Sequence, residues 1–128
     1  MDNVLADRVA IVTGGAGGIG SRIARAYTAA GARVVIASRS QDKLDRLVAE
    51  LSASGPGALA VATDVTVPED VSNLFDRTVD AFGKLDILVN NAGGAMFVKQ
   101  PLDLLPEEWA AAIALNLTSV FLCSQAAA

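Results

Sequence analysis

The sequence predicts an α/β fold in which a parallel sheet of about four strands is covered by helices on both faces. Short apolar runs alternate with longer stretches of helical periodicity along the whole chain. The apolar runs contain few polar residues, as is typical of strands buried on both sides. The length of 128 residues and the hydrophobic content of 52% suit one domain over residues 1–128 with a substantial core.

The first strand and helix are predicted close to the N-terminus. Residues 9–13 form an unbroken apolar run ending in threonine, which is typical of a buried strand. Helical periodicity follows over residues 19–30, and Gly31 stands where a helix commonly ends. A second buried strand is predicted over residues 33–37.

A second helix and a third strand follow in the same order. Ser40 is predicted to cap a helix from residue 41 to about 53, which has an apolar face at helical spacing. A loop rich in glycine and proline separates this helix from a strand predicted over residues 58–63.

The remaining elements repeat the pattern once more. Thr66 and Glu69 have the spacing of a capping box and predict a helix that ends at Gly83. A fourth strand is predicted over residues 85–90, and a last helix begins near Pro106. Because no Gly, Asn, Pro or basic residue closes this last helix, we expect the sequence to stop within it.

Composition and charge exclude several classes of function. The formal net charge of −4 and the lack of a basic stripe argue against a nucleic-acid partner. No apolar run approaches about 18 residues, so no membrane span is expected, and the acidic N-terminus does not resemble a signal peptide. One cysteine and no histidine allow neither an internal disulfide nor a Cys/His metal site. A cytoplasmic protein without a metal is the expectation.

A glycine-rich segment joins the first strand to the first helix. Residues 13–20 read TGGAGGIG. Glycine lets the chain turn sharply and lets a diphosphate approach the backbone, while the free amides at a helix start attract the anion. Because the run follows a strand and opens a helix, it predicts a nucleotide site at Gly14, Gly18, Ile19 and Gly20 rather than a plain tight turn.

The glycine spacing, with three further motifs, resembles the short-chain dehydrogenase/reductase family. The sequence Asn-Asn-Ala-Gly stands at residues 90–93, an Asp-Val pair at 64–65, and Asn116 lies in the helix after the fourth strand. The resemblance covers about residues 7–128. It implies the first half of a Rossmann-type doubly wound sheet, and hydride transfer between a nicotinamide dinucleotide and a small carbonyl or secondary alcohol substrate.

The resemblance also implies individual contacts with the dinucleotide. Asp64 would accept a hydrogen bond from the adenine amine and Val65 would offer its amide, although Asp64 could simply cap local amides. The short segment Asn91, Ala92 and Gly93 would pass beneath the nicotinamide ribose. Asn90 is expected to tie the end of the sheet to the region of Thr13.

The end of the second strand bears on the choice of dinucleotide. Ser38 and Arg39 stand where a carboxylate usually holds the ribose 2′-hydroxyl, and no acid follows until Asp42. An arginine can instead form a forked pair with a 2′-phosphate. We therefore favour NADP(H). NAD(H) stays the alternative, because Gly17 occupies the position where some NADP-selective relatives of the family carry a second basic residue.

The implied catalytic group is incomplete in this sequence. The family uses a Ser and a Tyr-x-x-x-Lys pair, together with an asparagine that holds a proton-relaying water. Asn116 matches the asparagine, but the single tyrosine, Tyr27, is followed four residues later by Gly31. We expect the chain to be part of a longer enzyme and to be inactive alone. The alternatives are a truncated product without turnover and a non-catalytic dinucleotide-binding module; a methyltransferase is disfavoured by the glycine spacing.

The last helix is expected to mediate self-association. Its apolar residues Trp109, Ile113 and Phe121 would be exposed beside an open fourth strand, which predicts a homo-oligomer formed through this helix. Trp109 itself is interpreted as a packing residue and Cys123 as a small buried hydrophobe.

Overall fold

The computed structural model describes residues 3–128 and contains one parallel four-stranded sheet in the order β3-β2-β1-β4. The strands are β1 (Val9–Thr13), β2 (Arg33–Ser38), β3 (Ala58–Ala62) and β4 (Ile87–Val89). The helices are α1 (Gly18–Ala29), α2 (Gln41–Ser54), α3 (Pro68–Phe82), α4 (Pro106–Ile113) and α5 (Ser119–Ala127), with a π-helical segment (Ala114–Thr118) between the last two and a 3₁₀ turn (Pro101–Asp103) before them. The predicted fold class is confirmed.

Side-chain alternation along the strands builds two separate apolar layers. Ile11 and Val35 face one side of the sheet, where they join residues of α3 and α5. Val12 and Ile36 face the other side and pack against α1 and α2. Both faces are therefore covered, which explains why the strand sequences are almost continuously apolar.

The strand register brings the ends of the strands to a common edge. Thr13 at the end of β1 pairs with Ala37 in β2, and Val12 pairs with Val89 at the end of β4. Ser38 pairs with Ala62 at the end of β3. Every loop that follows a strand thus starts at this edge, which is where open α/β sheets bind their ligands.

Two predicted strands are longer than the observed ones. The third ends at Ala62 instead of residue 63, and the fourth covers only Ile87–Val89 instead of 85–90. The Asp86 amide donates to the Val9 carbonyl, and the Asp86 carboxylate accepts a hydrogen bond from the Val9 amide, at 2.9 Å in each case. The side chain thus replaces part of the strand ladder at its start.

One of the two predicted helix caps is wrong, and the other is confirmed in position. Val67, not Thr66, stands at the N-cap of α3, and the Thr66 hydroxyl donates to Asp64 Oδ1 at 2.6 Å. The predicted capping box with Glu69 is therefore absent. Ser40 does occupy the N-cap of α2, but its side chain makes no capping hydrogen bond.

The last predicted helix is interrupted and largely uncovered. A π-helical segment separates α4 from α5, so the regular periodicity expected beyond Pro106 is broken. Trp109 is 60% exposed and Phe121 is 61% exposed, as expected, whereas Ile113 is partly buried. Trp109 therefore packs little within the chain, and Cys123 is buried as predicted. The 22-residue stretch Pro106–Ala127 is long and apolar enough, by length and composition only, to cross a membrane, which corrects the expectation that no such run exists.

Candidate functional site

The glycine segment folds as a tight loop between β1 and α1. Gly14 has a φ of +64°, a conformation that favours glycine. The Gly15 amide donates to the Ala37 carbonyl and the Gly17 amide donates to the Gly14 carbonyl, both at 3.1 Å. The first bond holds the loop against the end of β2, and the second closes the turn within the loop.

Packing within the protein requires some of these glycines, and it leaves Gly18 with the most open surroundings. A Cβ at Gly20 would overlap the Gly14 carbonyl oxygen, and one at Gly15 would lie 2.8 Å from Ile36 Cβ. A Cβ at Gly18 would meet nothing within 4 Å, and Gly18 does not have a positive φ. The fold itself does not require glycine at this position, so the open space is available for a ligand that approaches the backbone.

The start of α1 presents unpaired amides to this space. The N-cap is Gly17, which has no side chain to cap the helix, and no acidic residue lies in the first turn. Among residues 3–128, the amides of Gly18, Ile19 and Gly20 have no hydrogen-bond acceptor. Ile19 is 71% exposed. Bare amides at the positive end of a helix dipole are suited to a diphosphate.

A buried hydroxyl joins the glycine loop to the segment after β4. Thr13 Oγ1 accepts the amides of Asn91 and Ala92, both at 3.0 Å, and donates to the Val89 carbonyl at 3.3 Å. Asn91 Nδ2 donates to the Gly14 carbonyl at 3.2 Å. The tie expected from Asn90 is therefore made by Asn91, because Asn90 Nδ2 donates to Ser124 Oγ instead.

The role of Thr13 was not assigned from the sequence. Its hydroxyl stands at the end of an otherwise apolar strand, directly before the glycine run, and it is 1% exposed. Because a buried hydroxyl needs hydrogen-bond partners, a threonine at the end of an apolar strand indicates that other groups bond to it there.

These elements surround a cleft of about 170 Å³ at the common edge of the sheet. The residues that line it are Gly14, Ala37, Ser38, Arg39, Thr63, Asp64, Val65, Ala92, Gly93 and Leu115. The cleft brings together most of the residues singled out in the sequence. Gly18, Ile19, Gly20, Asn91 and Asn116 are not among its lining residues: the first three form the start of α1, Asn91 supports Gly14, and Asn116 borders Gly93.

The Asp64 carboxylate is held at the end of β3 as an ionised acceptor. Its Oδ1 accepts the Thr66 hydroxyl at 2.6 Å and the Thr66 amide at 2.9 Å. These two bonds, with a smaller contribution from the charge of Arg39, lower the pKa of Asp64, while burial acts in the opposite direction. The local capping role is thus observed, and Oδ2 accepts no hydrogen bond from residues 3–128.

The low pKa of Asp64 predicts a pH-dependent stability. The folded state holds the carboxylate proton more weakly than the unfolded chain does, so this contribution is complete above the ordinary pKa of 3.8 and is lost as the pH falls through the lower folded-state value. By urea denaturation we expect Asp64→Asn to lower the free energy of unfolding by less than about 1 kcal/mol near neutral pH, because the carboxylate is only partly buried. The difference from wild type should shrink below about pH 4; an equal difference at both acid and neutral pH would contradict it.

The side chain of Asn116 fixes the loop that follows the cleft. Its Oδ1 accepts the Gly94 amide at 2.9 Å, and its Nδ2 donates to the carbonyls of Gly94 and Ala112, each at 3.0 Å. Asn116 lies within the π-helical segment, a feature frequently found at functional sites. Its side-chain amide is therefore engaged with the protein, and a water would have to be held by its main chain.

No group suited to a metal ion occurs in the described part of the chain, where no three His, Cys, Asp or Glu side chains cluster.

Burial raises the pKa of the Cys123 thiol, which keeps the sulfur protonated near neutral pH.

The parallel sheet with helices on both faces is a Rossmann-type fold. The chain belongs to the short-chain dehydrogenase family, because the model of that family matches residues 8–128. The 3-oxoacyl-[acyl-carrier-protein] reductase of Synechocystis sp. is 41% identical over 126 residues, which are 95% of this chain and 49% of that protein.

Two solved structures show the same similarity. A short-chain dehydrogenase from Burkholderia cenocepacia in complex with NADP matches with a TM-score of 0.90 at 40% identity, over 96% of this chain and 50% of that one. The 3-ketoacyl-(acyl-carrier-protein) reductase from Brucella melitensis complexed with NADH matches with a TM-score of 0.88 at 35% identity, over 94% and 48%. The chain thus spans about half the length of the relatives it matches.

Proposed function

We propose that this chain is the cofactor-binding part of an NADP(H)-preferring oxidoreductase that interconverts a carbonyl and a secondary alcohol. The observation that carries the proposal is Gly18, at the bare start of α1. Apart from its chain neighbours and the backbone of its own helix, nothing in the protein lies within 4 Å of where its Cβ would be, so we infer that glycine there serves an approaching ligand. The dinucleotide, when bound, supplies the hydride.

The start of α1 and the residues that line the cleft have separate roles in this proposal. The amides of Gly18, Ile19 and Gly20 bind the diphosphate, supported by the turn at Gly14. Asp64 Oδ2 would accept a hydrogen bond from the adenine amine. The Val65 amide would donate one to the adenine ring, since it has no acceptor among residues 3–128.

The opposite end of the cleft would hold the nicotinamide ribose. Ala92 and Gly93 line this end, where small residues leave room for the sugar. Asn91 supports them by its hydrogen bond to Gly14. Asn116 holds the following loop through Gly94, and we assign to its main chain the water of the proton relay.

The preference for NADP(H) is assigned to Ser38 and Arg39. Both line the cleft at the end of β2, and no carboxylate stands at these positions to hold a ribose 2′-hydroxyl. The Ser38 hydroxyl accepts the Ser40 amide at 3.2 Å, so its proton stays available for a phosphate oxygen. Arg39 is exposed and can form a charge-assisted pair with the same phosphate.

Replacing Arg39 tests this preference. We expect Arg39→Asp to reverse the ratio of the NADPH and NADH dissociation constants, with a loss of NADPH affinity of about tenfold or more, because a favourable charge pair becomes a repulsive one. The ratio is measured by fluorescence titration of the complete protein with each nucleotide. Arg77→Asp makes the same change of charge on α3 and should leave the ratio unchanged; an unchanged ratio in Arg39→Asp would remove the assignment.

A second candidate function is a dinucleotide-binding module without turnover. These 128 residues contain no Tyr-x-x-x-Lys pair, since Tyr27 is their single tyrosine, so turnover has to be tested on the complete protein. An assay of the complete protein with NADPH and a panel of ketones, read at the nicotinamide absorbance, separates the two. Binding without oxidation of NADPH would support the module.

The proposal includes association with a second copy of the chain. The segment from α4 to α5 leaves Trp109, Leu117 and Phe121 each at least 60% exposed. Apolar side chains of this size on one helical stretch are typical of a surface that another protein covers.

A further inference from the structure

A second cavity lies on the other side of the glycine loop, between α1 and α2. Its lining residues are Ala16, Ser21, Arg25, Lys43, Arg46, Leu47 and Glu50. Ala16 belongs to the glycine loop itself and stands two residues after Gly14, which lines the main cleft. The loop therefore separates the two hollows, and both touch it.

The charges in this cavity do not cancel. Arg25 is neutralised by Glu50 through two hydrogen bonds, at 2.6 and 3.3 Å. Lys43 and Arg46 form no ion pair with any carboxylate among residues 3–128. The carboxylate of the neighbouring Asp45 accepts the Gln41 side-chain amide at 2.7 Å. Two cations thus remain unpaired on this side of the glycine loop.

Lys43 is the nearer of these two cations to the main cleft along the chain. It lies in the first turn of α2, which starts at Gln41, and follows Arg39 by four residues. Arg46 lies almost one turn further along the same helix. The flexible four-carbon stem of lysine allows its ammonium group to reach an anion at the rim between Ala16 and Arg39.

We propose that Lys43 acts with Arg39 to bind the 2′-phosphate of NADP(H). The proposal rests on the proposed function, and it adds a specificity residue outside the glycine loop. Gly17 offers no charge to such a phosphate, and the unpaired ammonium group of Lys43 supplies the second cation from α2. The phosphate bridges the two hollows by contacting Arg39 on one side of the loop and Lys43 on the other.

The test compares Lys43→Gln with Arg46→Gln in the complete protein. Each variant is titrated by calorimetry with adenosine 2′,5′-bisphosphate and with 5′-AMP, which differ only in the 2′-phosphate. We expect Lys43→Gln to weaken binding of the bisphosphate by about tenfold while binding of 5′-AMP is unchanged. Arg46→Gln should change both by less than about twofold, since exposed charges without direct contact are screened by salt.

Each other outcome has a definite meaning. Equal losses in Lys43→Gln and Arg46→Gln would show a diffuse field rather than a contact and would overturn the proposal. A normal bisphosphate affinity in Lys43→Gln, with a loss in Arg39→Gln, would overturn it while leaving the NADP(H) preference intact. Failure of the wild-type protein to bind either NADPH or NADH would instead refute the proposed function.

Discussion

Replacing Gly18 with alanine is expected to weaken dinucleotide binding by about a hundredfold while the fold stays intact. The new methyl group would stand at the start of α1, where the diphosphate approaches the amides, and the clash together with a weakened charge-assisted hydrogen bond costs about 2–3 kcal/mol of binding free energy. The protein itself has room, because nothing lies within 4 Å of this methyl position. Calorimetric titration with NADPH measures the loss, and thermal unfolding measures the stability.

Gly20→Ala is the matched control for this prediction. It adds the same methyl group two residues further along α1, where it overlaps the Gly14 carbonyl oxygen and lies 2.7 Å from Asn91 Nδ2. We expect it to lower the free energy of unfolding by about 2–3 kcal/mol, because backbone atoms must move. If Gly18→Ala binds NADPH like the wild type, the open space at Gly18 is not the diphosphate site.

Removal of the Thr13 hydroxyl is expected to lower the stability of the fold. Thr13→Val keeps the shape of the side chain but deprives the amides of Asn91 and Ala92 of their shared acceptor. The Asn91 amide keeps the Val89 carbonyl as an acceptor at 3.0 Å, whereas the partly buried Ala92 amide is left without one. A buried amide without a partner costs about 1–3 kcal/mol, so we expect the free energy of unfolding to fall by about 2 kcal/mol. Urea denaturation at neutral pH provides the measurement.

Thr13→Ser separates the hydroxyl from the methyl group. It retains the acceptor and removes only one buried methyl, so the expected loss is about 1 kcal/mol. Comparable losses in Thr13→Ser and Thr13→Val would show that packing, not the hydroxyl, matters here. Because Asn91 also supports the Gly14 carbonyl, we expect Thr13→Val to weaken NADPH binding as well.

The sheet and most helices were predictable because their sequence signals are local. The apolar run at residues 9–13 and the glycine at Gly31 act through the chain's own conformational preferences and burial. The caps of the helices were less predictable. Thr66 has the spacing of a capping residue, yet its hydroxyl donates to the carboxylate of Asp64, two residues before it, because a charged oxygen is a strong acceptor. Val67 stands at the N-cap instead.

The candidate site was predicted by residue type but not by contact. Asn90 and Asn91 are identical in sequence terms, and only the direction of each side chain at the end of β4 decides which one reaches the glycine loop. The π-helical segment around Asn116 and its hold on Gly94 likewise depend on where the loop after β4 runs.

The parallel sheet, the position of the glycine loop and the lack of a carboxylate at Ser38 and Arg39 follow from the order of residues alone, because each is a property of neighbouring residues. Tertiary structure alone decided which glycines the fold requires and which it leaves open to a ligand, since that depends on atoms distant in the chain. It also decided that Lys43 and Arg46 stay unpaired while Arg25 meets Glu50, because ion pairing between two helices is set by how they pack.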